Sequence, residues 1–171
     1  MKLFALMAVA ALLLASVACS KQNDVAYKDN VQKALEQADL KPVTVDEDQG
    51  KNAITLGGTL HSEEAKAKAA DVAKTAASTR IIANQISVQP VGAESDAKAV
   101  ASSLDDGIEN NYKAALISNG LKRQNVRYKA KNGVLTLTGN VGNAKERQQA
   151  EKLAAGIPNV QQVVNQVEVK R

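Results

Sequence analysis

Two stretches of this sequence, 25–88 and 106–169, follow one pattern without a gap when the chain is slid along itself by 81 positions. Fourteen of the 64 aligned positions are identical. They fall where a fold would need them: Ala34-Leu35 on Ala115-Leu116, Leu40-Lys41 on Leu121-Lys122, Thr55-Leu56 on Thr136-Leu137, Gly58 on Gly139, and Asn84-Gln85 on Asn165-Gln166. A repeat of this length restricts the answer to one small unit used twice. A unit of about 65 residues is marginal alone, which favours some mutual contact, but the sequence leaves open whether the copies pack together.

The second copy is the easier to read. Ser103 with Asp106 has the form of a helix start, and Leu104, Ile108, Tyr112, Ala115 and Leu116 then share a helical face. Gly120 is a stop signal. From 125 to 130 the pattern alternates, Val126, Tyr128 and Ala130 against Arg127 and Lys129. Asn132-Gly133 is a strong signal for a two-residue hairpin, with 134–141 as the return strand and Leu135, Leu137 and Val141 on one face. Asn143 with Glu146 opens a second helix whose stripe is Glu146, Ala150, Leu153 and Ile157. Gly156 and Pro158 end it, and 160–169 reads as the last strand.

The first copy repeats this order: a helix to Leu40, strands near 43–45 and over 54–60, a helix from Ser62 burying Ala65, Ala69, Val72 and Ala76, and a strand over 81–88. The strand–helix–strand step should cross over right-handed and place the last strand parallel to its neighbour. The expected fold class is α+β: two tandem αββαβ modules, each a three-stranded mixed sheet with two helices on one face. Residues 24–90 form the first module and 103–171 the second. The linker is 91–102, following Pro90 and rich in Gly, Ser and Ala, although Ala97–Ala101 can extend the next helix.

The chain begins with Lys2 and an apolar run, Leu3–Ala18, broken only by Ser16. About sixteen residues is short for a membrane span, which takes roughly 20. The run has the parts of a secretory signal over 1–18, with an uncleaved anchor as the alternative. Cys19 is the only cysteine, so it forms no internal disulfide. Its position resembles the modified cysteine of bacterial lipoproteins, with 19–23 as a short tether. Ser16-Val17-Ala18 also suits ordinary signal cleavage, which leaves a free thiol.

The segments Val134-Leu-Thr-Leu-Thr-Gly139, Glu146-Arg147, Ala150-Glu151, Val160 and 163–167, with Ala53-Ile-Thr-Leu-Gly-Gly58 and Asn84-Gln85 more loosely, resemble the BON domain. The resemblance implies the αββαβ fold, a periplasmic or outer-membrane setting and a binding role. Similar members include osmotically induced periplasmic proteins and dual-BON lipoproteins of envelope integrity, whose second module meets anionic phospholipid. For a lipoprotein of that kind, Ser20 after the cysteine implies sorting to the outer membrane.

Charge divides between the copies. Residues 24–90 carry eight Lys/Arg against ten Asp/Glu, whereas 105–171 carry eleven against six. Such an asymmetry points the basic half toward an anionic partner. Arg127, Lys129 and Lys131 share one register, with Lys122 and Arg123 just before them; these five are the candidate lipid-binding residues. The ungapped alignment sets Asp46, Asp48 and Gly50 opposite the three strand cations. Three readings follow: charge on an exposed edge that blocks aggregation, contact with anionic phospholipid, or attraction between the ladders within or between chains. An envelope protein partner, or self-association through the Asp46/Asp48 face, belongs with the last.

Other signals are weak. Asp46-x-Asp48-x-Gly50 resembles the start of a calcium loop but lacks its later ligands, and a hairpin turn explains it. Gly139-x-x-Gly142 fits a tight turn better than a nucleic-acid clamp. His61 is the sole histidine, and three tyrosines with one leader phenylalanine offer no stacking platform for single-stranded nucleic acid. No nucleophile–base pair, carboxylate pair or metal cluster is legible, so a non-enzyme without cofactor, metal site or nucleic-acid partner is expected. Two functions remain: an envelope-maintenance lipoprotein whose second module binds anionic phospholipid, or a periplasmic protein-interaction or chaperone-like protein induced by osmotic stress.

Overall fold

The computed structural model describes residues 26–121 and 125–170. The leader, Cys19 and its tether, Lys122 and Arg123 lie outside the described residues. In the first module, α1 (Lys28–Gln37) is followed by β1 (Val43–Asp48), β2 (Ala53–Leu60), α2 (Glu63–Ala76), β3 (Ile81–Asn84) and β4 (Ser87–Val88). In the second, α3 (Glu94–Ser118) precedes β5 (Asn125–Lys131), β6 (Val134–Val141), α4 (Ala144–Ala155), β7 (Gln162–Asn165) and β8 (Glu168–Val169). The middle strand pairs antiparallel with its predecessor and parallel with its successors in both modules. This is the expected mixed αββαβ sheet.

Each sheet turns one face to its two helices. Val31 and Leu35 of α1, Ala69 and Ala73 of α2, and Val43, Val45, Ile54 and Leu56 of the strands make the first core. Ile108, Tyr112 and Leu116 of α3 meet Leu135, Leu137, Ala150 and Ala154 in the second. Small residues let α2 and α4 lie close to the sheet. Ala73 and Ala154 join the expected stripes, while Ala65, Val72, Ala76 and Leu153 are only partly covered.

Local chemistry accounts for the element ends. Ser62 accepts from Ala65 N at 3.2 Å and Asn143 from Glu146 N at 2.9 Å, so each second helix starts on an N-cap. Asn132 and Gly133 both take positive φ, 49° and 78°, as the tight hairpin turn requires. Gly58 and Gly139 have φ of 98° and 95°, and a Cβ there would lie 2.2 Å from Pro42 O and 1.9 Å from Asn125 O. Only glycine fits. This kink falls where each last strand, read as continuous, loses its pairing and divides into two pieces in unchanged register.

Three expectations need correction. From residue 94 the linker is helical: α3 runs unbroken for 25 residues, about 37 Å. Ser103 therefore sits inside a helix and caps nothing. The Ala-, Glu- and Lys-containing stretch has good helix propensity and nothing to break it. Leu104, placed on the buried face, is 44% exposed because the second core starts only at Ile108. Finally, the ungapped alignment slips in the first strands. Val43 pairs with Gly58, but Val126 pairs with Gly139, an offset of 83. A four-residue hairpin loop in the first module against two in the second absorbs the difference. Asp46 and Asp48 thus correspond to Lys129 and Lys131, and Thr44 to Arg127. Because side chains alternate with period two, a two-residue slip keeps every face, and the charge inversion survives.

The modules touch, a point the sequence left open. Ala83, Val134 and Val164, on the faces away from the helices, form a third buried cluster. Burying each valine contributes roughly 1.5–3 kcal/mol. Beside it the Gln162 carboxamide acts as a short piece of strand against the free edge of β3. Its Oε1 accepts from Asn84 N at 3.2 Å and its Nε2 donates to Ile82 O at 2.6 Å. Asn132 Nδ2 also donates to Gln85 O at 2.8 Å.

Candidate functional site

β5 is an edge strand, and its alternation divides it cleanly. Tyr128 turns inward and meets Tyr112 edge-to-face at 5.1 Å between centroids. Tyr112 is fully buried and donates to Ala150 O at 3.1 Å; burial, with the neighbouring Tyr128 second, pushes its hydroxyl far above the usual tyrosine value. Arg127, Lys129 and Lys131 are exposed on the other side, about 7 Å apart as alternate residues of a strand.

The three cations are not equivalent. The long helix α3 lies along the β5 edge, and Glu109 Oε1 accepts from the strand's Ala130 N at 3.0 Å. The same oxygen pairs with Lys129 Nζ at 2.9 Å. Partial burial pushes the Glu109 carboxyl up, but the Ala130 N–H and the Lys129 ammonium outweigh it and hold it below the usual value. Hydrogen bonding to Glu109 and its charge, then Asp106 and Asp105, raise Lys129. Lys129 is thus committed to its own module, while Arg127 and Lys131 make no ion pair among the described residues. Counting charge by module concealed this, because the acids of α3 face the same strand as its cations.

The acidic counterpart is similarly mixed. Asp46 is exposed, whereas Asp48 accepts from Lys51 N at 3.1 Å and pairs with Lys51 Nζ at 3.4 Å, closing the β1–β2 hairpin. No ion pair among the described residues joins Asp46 or Asp48 to the basic strand. His61 is exposed, its Nδ1 at 2.9 Å from Gln89 O. Among the described residues no three His, Cys, Asp or Glu side chains converge as metal ligands.

The repeated Asn-Gln motif has a structural role. Asn84 Nδ2 donates to Lys66 O at 2.9 Å, and Asn165 Nδ2 to Arg147 O at 3.4 Å, tying the interrupted last strand to the second helix at equivalent points. Asp105 was not singled out by sequence, yet its carboxylate holds the hairpin through Asn132 N at 2.7 Å and Gly133 N at 3.0 Å. Its signal was there to be read: one helical turn before Glu109, it faces the same strand once Ser103 is no longer a helix start.

The interrupted strands, the two glycine kinks and the αββαβ order define a protein built of two tandem small modules. The BON domain profile matches residues 23–90 and 104–171, and the chain belongs to the BON-domain family. BON domains are generally non-catalytic binding domains and occur in envelope proteins. No helix among the described residues is long and apolar enough to cross a membrane. Among solved structures the chain is similar to the C-terminal domain of CdsD, a structural protein of the type III secretion system of Chlamydia trachomatis, at 17% identity and a TM-score of 0.35. The match covers 81% of this chain and 62% of that one. A second CdsD structure matches at the same identity and TM-score, over 84% of this chain and 61% of that one. The chain thus spans about three fifths of either, and the likeness is too slight to inform function. No curated protein matches it significantly.

Proposed function

We propose that this chain is a non-catalytic envelope-maintenance lipoprotein, tethered through Cys19 at the periplasmic face of the outer membrane, whose second module meets anionic phospholipid. The observation that carries this reading is the exposed pair Arg127 and Lys131 on an edge strand, with Lys129 between them; Lys122 and Arg123 precede them in sequence. Each cation near an anionic surface contributes about 1 kcal/mol. Two free cations therefore supply roughly thirtyfold, too little for capture from solution but useful beside an acyl anchor, since stable membrane binding takes two signals.

The test is vesicle flotation of Ser20–Arg171, without the tether, on anionic and neutral liposomes at two salt concentrations. Flotation on anionic vesicles alone, weakened by salt and lost in Arg127→Glu/Lys131→Glu, is the expected result. Flotation indifferent to the double substitution would remove the strand from any lipid role.

A second reading has its own observation. A hollow of about 440 Å³ between α3 and α4 is lined by Ala115, Leu153 and Ile157, with Asn119, Gln149 and Lys152 among them. An apolar client protein under osmotic stress would fit this surface, and its binding would resist salt. A protein partner or a second copy meeting the Asp46/Asp48 face would instead be salt-sensitive but indifferent to lipid.

A further inference from the structure

A hollow lies where the two modules meet. It measures about 580 Å³, within the range of small-molecule sites. Val88 and Pro90 at the end of the first module form one side. Ala97, Val100 and Leu104, along the upstream turns of α3, form another, and the Asn132-Gly133 hairpin with Val160 closes the far side. Val100 and Leu104 are 60% and 44% exposed, so this helical stripe is apolar and uncovered.

Inside this wall sits one buried charge. Lys66 on α2 is only 7% exposed and lines the hollow. Its ammonium has two long contacts to neutral oxygens, 3.3 Å to Gln161 Oε1 and 3.5 Å to Asn132 O. Among the described residues no carboxylate lies within ion-pair distance of it. The hollow's acids do not compensate it: Glu63 and Asp96 are exposed at the mouth, and Asp105 is occupied by the hairpin N–H groups. The equivalent Arg147 turns instead to its own module and donates to Asn165 O at 3.3 Å. A buried cation is costly without an anion beside it.

We infer that this inter-module cleft binds one anionic single-chain amphiphile, its carboxylate or phosphate head on Lys66 and its hydrocarbon tail along Val88, Val100 and Leu104. The site is separate from the basic strand and stands whether or not that strand meets a membrane. The cation supplies a charge-assisted hydrogen bond to the anionic head. The small residues of α3 let a chain lie flat against the helix. Neither module holds the site alone, so occupancy also joins the two.

The experiment titrates the full chain with cis-parinaric acid, a fluorescent long-chain carboxylate, below its aggregation limit. The expected result is one saturable site per chain. Oleate and lysophosphatidate displace the probe, and their relative strength tells a carboxylate head from a phosphate one; oleyl alcohol, of like tail and no charge, does not compete. Lys66→Gln should weaken binding about tenfold or more, the worth of one charge-assisted hydrogen bond, and Lys66→Arg should restore most of it. Leu104→Asp, at an exposed position that folding tolerates, should weaken binding from the tail side. Arg127→Glu/Lys131→Glu should leave it unchanged, so this inference and the lipid-surface reading fail separately. Equal displacement by oleyl alcohol, unsaturable uptake, or binding unaltered in Lys66→Gln overturns the site.

Discussion

The two modules share a topology and differ in how the first helix begins. In the first module α1 starts abruptly at Lys28, and the strand reaches over to cap it. Glu47 Oε2 accepts from Tyr27 N at 2.9 Å and Lys28 N at 3.0 Å. Its side chain is almost fully buried, held by Arg80 at 3.2 Å, and Arg80 in turn lies over the Tyr27 ring. In the second module the helix is already several turns long when it reaches the core, so no helix start needs a carboxylate. The corresponding strand position is Ala130. The debt runs the other way there, with Asp105 and Glu109 on the helix satisfying backbone N–H groups of the hairpin and edge strand. Buried charge in this fold follows the helix end, and the direction of support between helix and edge strand reverses with it.

Six substitutions would break or sharpen the comparison. Gly58→Ala and Gly139→Ala should be the most damaging, each losing about 3 kcal/mol or more, because a Cβ meets a backbone oxygen and positive φ is strained. Urea unfolding should show similar losses for both; a mild effect at one would mean that its module relaxes where the other does not. Next is Glu47→Ala, which removes the buried carboxylate beside Arg80 and the acceptor for Tyr27 N and Lys28 N, and should cost about 3–5 kcal/mol. The reciprocal Ala130→Glu should also destabilise, with no helix start for the new carboxylate to cap; a gain in thermal stability would contradict the account above. Gln162→Ala removes two hydrogen bonds between the modules, about 1–2 kcal/mol, and calorimetry should show one unfolding transition separating into two. The smallest effect is expected from Glu109→Gln, which frees Lys129. It should raise affinity for anionic vesicles by up to about fivefold, roughly 1 kcal/mol.

That last pair also sets a pH dependence. The Glu109 carboxyl is held below its usual value, so the pair persists at neutral pH and is lost only as pH falls through that lowered value. Below it Lys129 is released, and anionic-vesicle binding should strengthen, provided the lipid stays ionised. In Glu109→Gln the rise should vanish, a difference that flotation across a pH series would read.

The repeat, the order of elements, the caps at Ser62 and Asn143, the Asn132-Gly133 turn and the inward face of β5 were all legible in the sequence. Each rests on spacing within a few residues, where the periods of helix and strand and the φ demands of a turn leave one solution. The basic strand was legible too, but not its partial neutralisation, because Glu109 and Lys129 are brought together only when α3 lies along the edge. The slip of two residues between β1 and β5 escaped the ungapped alignment for a related reason: a hairpin register is set across strands, and an even slip preserves the pattern that sequence displays. The local pattern of this chain therefore determined two αββαβ modules with known inner faces. Tertiary structure alone decided that Gln162 borders a foreign strand and that Lys66 ends in a cleft. Contacts between residues some 80 positions apart depend on how finished modules fit, and no local period encodes that fit.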